Sequence, residues 1–117
     1  MAIIRVTDLK VRAIIGAHPW ERKQKQDVVV NFAVTYDSLK VSKNDKIKDA
    51  LDYEALTALV VKTIETSRYQ LLEKLTDVVL KKILNTPRVE WVWVRLEKPQ
   101  AIPAAKSVSI ELEARKT

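Results

Sequence analysis

The sequence has 117 residues, 47% hydrophobic and 31% charged, with one Gly, four Pro and no Cys, the composition of one compact folding unit over residues 1–117. Disordered, collagen-like and disulfide-stapled classes are excluded, and with no Cys and a single histidine, His18, so are a thiol nucleophile, a CxxC redox pair and a thiolate or multi-histidine metal site. A net charge of +6, from 21 Lys and Arg against 15 Asp and Glu, raises the question of a polyanionic partner, but the basic residues are interspersed with acidic ones.

In chain order, Ile3, Ile4 and Val6, then Val11, Ala13 and Ile15, alternate with charge, which predicts a strand over residues 2–15 interrupted near Asp8 and ended by Gly16. DVVVNFAVTY at residues 27–36 places Val28, Val30, Phe32, Val34 and Tyr36 on one face, the clearest strand in the chain. The stretch KVSKNDKIK at residues 40–48 reads as a solvated turn rather than as a stripe that tracks phosphates. Leu56, Leu59, Val60 and Ile64 recur at helical spacing, predicting a helix from Asp52, its cap, to Thr66. A second helical stripe, Leu72, Leu75, Val79 and Ile83, is stopped by Pro87. The period returns to two over residues 89–97 and 107–113.

The order ββααββ predicts an α+β architecture, an antiparallel four-stranded sheet with two consecutive helices on one face. The other face would be bare. Trp91 and Trp93 oppose Val92, Val94 and Leu96, so both faces of that strand carry apolar bulk, as expected at a subunit interface. No run reaches the roughly 20 apolar residues of a membrane span, and Arg5, Asp8, Lys10 and Arg12 break any signal-peptide core. A soluble, cytoplasmic protein is expected.

Several residues invite a chemical reading, and each also has an ordinary one. Lys98, followed by Pro99 at a strand end, is a solvated charge or a general base in a desolvated cleft. Glu73 sits in a helix's first turn, where amide dipoles alone stabilise a carboxylate. Tyr53 follows a helix cap, Glu21 lies in the loop HPWERK, and His18, with no visible partner, is left outside the site. The tryptophan pair also admits a basic nucleic-acid-binding module that stacks bases, but such modules run βαββαβ rather than with consecutive helices.

Together GAHPWERKQKQDVVVNF, ALDYEALTALV, SRYQLLEKLTDVVL and EKPQAIPAAKSVSIELEAR resemble the dihydroneopterin aldolase family, in order and over nearly the whole chain. The WE loop, the DY at a helix start, LLEKL opening the second helix and KPxA after the third strand are all present. One departure is Ser109, where aldolases often carry Gly. The resemblance implies the tunnelling fold, in which subunits close their sheets into rings and two rings stack as a homo-octamer with shared active sites. It implies a carbon–carbon lyase of folate biosynthesis that splits 7,8-dihydroneopterin into 6-hydroxymethyl-7,8-dihydropterin and glycolaldehyde, with no cofactor, metal or Schiff base.

By matched motif, the resemblance implies that Glu73 and main-chain groups at Leu72 hold the pterin ring and that Lys98, its ammonium pKa lowered by desolvation, moves the proton. Tyr53 from a neighbouring subunit would serve binding and proton transfer at the released carbon, and Glu21 would bind the substrate's side chain. The alternative within the resemblance is dihydroneopterin triphosphate 2'-epimerase. The net positive charge leans toward its anionic substrate, whereas WER at residues 20–22 and the proline of KPQA resemble the aldolase version. Epimerisation is then expected as a side activity.

Overall fold

Period-two patterning becomes four antiparallel strands in the computed structural model, which describes residues 1–117. Strands β1 (Ala2–Ala13), β2 (Gln26–Tyr36), β3 (Trp91–Lys98) and β4 (Val108–Arg115) lie side by side in sequence order. Three helices fall between β2 and β3: α1 (Leu39–Asn44), α2 (Tyr53–Glu65) and α3 (Leu72–Leu84). The helix α2 packs over β1 and α3 over β3 and β4, so the expected α+β architecture, two helices across one sheet face, is the observed one. No helix is long and apolar enough to cross a membrane.

β1 shows why the alternation falters near Asp8. Ile4 and Val6 turn toward the helices on even numbers, whereas Leu9, Val11 and Ala13 do so on odd ones. The parity change needs one extra residue, and the pairing with β2 slips between Val6 and Leu9, a β-bulge with Asp8 at φ 55°. Asn31 of β2 pins it, accepting from the Asp8 amide at 2.9 Å and donating to its carboxylate at 3.3 Å.

The core lies between sheet and helices. Val28, Val30, Phe32 and Val34 of β2 and Val92, Val94 and Leu96 of β3 are fully buried against Val60 and Ile64 of α2 and Leu75, Val79 and Ile83 of α3. Burial of such a side chain contributes about 1.5–3 kcal/mol, so helix faces with weak intrinsic propensity are fixed by packing. Asp52 caps α2 as expected, accepting from the Ala55 amide at 3.0 Å, an interaction worth about 1 kcal/mol.

The stretch over residues 40–48 differs from the solvated turn expected of it. It forms α1 and then a 3₁₀ turn at Ile47–Asp49. Helix α1 buries no residue, so it carries no apolar stripe from which periodicity could be read. The buried Asp49 side chain anchors it, accepting from Asn44 at 2.9 Å and lying 3.5 Å from Lys40.

On the sheet face away from the helices, the Trp91 and Trp93 indoles are half-buried and donate to Glu113 at 3.0 Å and Glu111 at 2.8 Å. That face joins aromatic surface to carboxylates.

Candidate active site

The β1–β2 loop enters the site through Gly16, whose φ of +125° lies outside what L side chains readily adopt. A turn follows, with the Glu21 amide bonded to the His18 carbonyl at 2.9 Å, and this folds the Glu21 side chain back over Gly16. Arg22 then ties the loop to the α2–α3 connection. Its guanidinium donates to the carbonyls of Gly16 at 3.1 Å and Tyr69 at 3.0 Å and to that of Arg68. Because Tyr69 lies just before α3, this clamp sets the loop against the helix's N-terminus.

Three segments meet around a cavity of about 400 Å³, within the range of small-ligand sites. The loop contributes Gly16, His18, Trp20 and Glu21; the α2–α3 connection and the start of α3 contribute Gln70, Leu72 and Glu73; the β3–β4 end contributes Lys98, Ala101 and Ile110. Trp20 and Leu71, both largely exposed, form apolar walls at its rim.

At its centre the Lys98 Nζ lies 2.6 Å from Glu21 Oε2, with the side chains only 14% and 4% exposed. Gln26 donates to the same Oε2 at 3.1 Å and the His18 amide to Oε1 at 3.2 Å. Burial pushes the Glu21 carboxyl up, but the hydrogen bonds from Lys98, Gln26 and the His18 amide, with the Lys98 charge, outweigh it and hold the pKa below its ordinary 4.5. A carboxylate depressed in this way contributes its stability fully above that ordinary value and loses it as pH falls through the folded-state value.

Glu73 is exposed to the cavity, and Leu72, the first residue of α3, is buried beside it. The first amides of a helix have no intrahelical acceptor, and Leu71 supplies no side-chain cap, so the N–H groups at Leu72 and Glu73 stand beside an acceptor-rich carboxylate. Such a pairing of donors and acceptors suits a flat heterocycle with an amidine-like edge.

Of the residues singled out from the sequence, Glu21, Leu72, Glu73 and Lys98 are brought together. Tyr53 is not among the lining residues. It is 55% exposed at the start of α2. Sequence reasoning passed over Gln26 and the main chain of His18, which reach Glu21, and Arg22, which holds the loop. The His18 imidazole itself stacks on Trp20, with ring centroids 6.0 Å apart. A signal for the loop was present in the chain's single glycine, placed at its entry.

The FolB dihydroneopterin aldolase family model matches residues 4–113. A dihydroneopterin triphosphate 2'-epimerase of Pseudomonas aeruginosa is 37% identical over 112 residues, covering 96% of this chain and 91% of the relative. A dihydroneopterin aldolase of Escherichia coli (strain K12) is 30% identical over 113 residues, covering 97% and 93%. The crystal structure of E. coli dihydroneopterin aldolase in complex with neopterin superimposes with a TM-score of 0.93 at 30% identity, covering 97% of this chain and 99% of that one.

Proposed function

Because the chain belongs to the dihydroneopterin aldolase family, a family of lyases, we propose that it cleaves 7,8-dihydroneopterin into 6-hydroxymethyl-7,8-dihydropterin and glycolaldehyde. The observation that carries this reading is the buried Lys98–Glu21 pair in one cavity with Glu73 and the N-terminus of α3. Glu73 and the main chain at Leu72 hold the pterin's amino group and ring nitrogens, which sets the side chain toward Lys98. Lys98 Nζ carries the proton.

The step balances without an added group. The proton leaves the hydroxyl on the second side-chain carbon and passes, directly or through water, to Lys98 in its neutral amine form, and the ammonium so formed pairs with Glu21. The carbon–carbon bond between the first and second side-chain carbons breaks, and glycolaldehyde departs with its carbonyl formed. The released electron pair delocalises into the conjugated imine of the dihydropterin ring, and a proton returned to the first carbon completes the hydroxymethyl product. The substrate is its own electron sink, so the route runs without a metal or a Schiff base.

The site is completed by a neighbouring copy. Tyr53 lies outside the cavity of its own chain and more than half exposed, which suits delivery of its hydroxyl to the next subunit's site. At the two edges of the sheet, the 12-residue β1 and the 8-residue β4 have one side unpaired, the arrangement a head-to-tail ring requires. Two stacked rings give the family's octamer. Trp93→Ala is expected to move the assembly toward smaller species by light scattering; an unchanged mass would place the tryptophans outside the subunit contacts.

The higher identity to the P. aeruginosa epimerase than to the E. coli aldolase, 37% against 30%, favours a second reading, 2'-epimerisation of dihydroneopterin triphosphate. Re-addition of the aldehyde to its other face would supply it from the same bond cleavage. Incubation with dihydroneopterin and, separately, with its triphosphate, followed by chromatography of the pterins, decides between them. Hydroxymethyl-dihydropterin with glycolaldehyde is the expected product. Conversion of the triphosphate alone, to its epimer, would reassign the reaction, and no turnover of either would overturn both.

A further inference from the structure

The Glu21 carboxylate occupies the space that a side chain at residue 16 would fill. A Cβ built on Gly16 falls inside the Glu21 carboxyl group, against its carbon and both oxygens. The glycine's backbone has little freedom to yield. Its N–H donates to the Tyr69 carbonyl at 3.3 Å, and its own carbonyl accepts from Arg22 at 3.1 Å. The carboxylate, at the end of a flexible side chain, is therefore the group that must move. Gln26 closes the opposite side, with one amide group donating both to the Ile15 carbonyl at 2.6 Å and to Glu21 Oε2 at 3.1 Å. The same nitrogen thus fixes the backbone that leads into Gly16 and the oxygen that faces Lys98.

We propose that Gly16 and Gln26 form a seat for the Glu21 carboxylate and are positioning residues for Lys98, acting through Glu21 rather than touching substrate. Glu21 has three of its acceptor sites occupied, by Lys98, Gln26 and the His18 amide, and is 4% exposed, so its placement is set before substrate arrives. The buried Lys98 ammonium has this carboxylate as its hydrogen-bond partner, and a displaced carboxylate leaves Nζ without its aim. The effect on turnover rests on the aldolase reading above; the effect on Glu21 does not.

The test compares Gly16→Ala, Glu21→Ala and the double variant, with Gln26→Leu as a change that leaves the Gly16 backbone untouched. Gly16→Ala is expected to lower kcat on the order of a hundredfold. Affinity for neopterin should stay within about threefold, since the ring is held at α3. Added to Glu21→Ala, the same change should cost less than about threefold more, because no carboxylate remains to be displaced. An equal loss in both backgrounds would make Gly16 a backbone requirement alone and overturn the proposal.

Carbon-13 NMR of the Glu21 carboxyl gives a readout independent of turnover. Its titration should move up from the depressed value in both Gly16→Ala and Gln26→Leu. An unmoved Glu21 titration in Gln26→Leu would overturn the seat even if the glycine variant failed to fold. A wild-type protein inactive on dihydroneopterin would sink the aldolase reading, and the titration would still judge the seat.

Discussion

Lys98→Ala is expected to lower turnover of dihydroneopterin by roughly 10²–10⁴-fold, the usual contribution of a positioned proton-transfer group, while neopterin binds within about tenfold of the parent. Lys98 is the one ammonium or guanidinium among the residues lining the cavity, and its Nζ is aimed by the 2.6 Å contact with Glu21. No neighbouring cation replaces it. The truncation also strands a buried carboxylate, which costs about 3–5 kcal/mol when one partner of such a pair is removed. Lys98→Arg separates the two effects. A guanidinium keeps the charge opposite Glu21 and so most of the stability, but it does not deprotonate in proteins and cannot relay a proton. Turnover lost in both variants, with folding restored in Lys98→Arg, assigns the proton to Nζ. Turnover retained in either removes Lys98 from the reaction.

What the sequence disclosed, and what it withheld, follows from the range of the interactions. The alternation of Val28, Val30, Phe32 and Val34 and the stripe of Leu72, Leu75, Val79 and Ile83 report burial directly, because each face meets one uniform environment. Helix α1 has no fully buried residue and sets only Val41 against the core, too little to show as a stripe by the same logic. At the site, the motif resemblance supplied Glu21, Leu72, Glu73 and Lys98, residues up to 77 positions apart whose meeting no local period could announce. The Gln26 contact was hidden for another reason. Periodicity places Gln26 at the start of a strand, but only the turn at residues 18–21 brings Glu21 back to it. The glycine that permits that turn reads from the sequence as the end of the first strand, whereas β1 ends at Ala13 and Gly16 belongs to the loop that follows.

Glu73→Gln separates a ligand contact from a helix-end charge. As a bare first-turn carboxylate, Glu73 would stabilise α3 through the amide dipoles by about 0.3–1 kcal/mol, and its loss would lower thermal stability slightly and change nothing else. As the pterin's anchor, it accepts paired hydrogen bonds from the amino group and a ring nitrogen, charge-assisted contacts worth about 1.5–3 kcal/mol. The amide keeps the shape but presents one acceptor oxygen and a donor that opposes the ring's own donors. The dissociation constant for neopterin, followed by fluorescence titration, is therefore expected to rise roughly 10- to 100-fold. At saturating substrate kcat should fall far less, since Lys98 and Glu21 stand on other segments and keep their contact. A loss of stability with unchanged neopterin affinity would return Glu73 to the dipole role and move ring recognition to the main chain at Leu72.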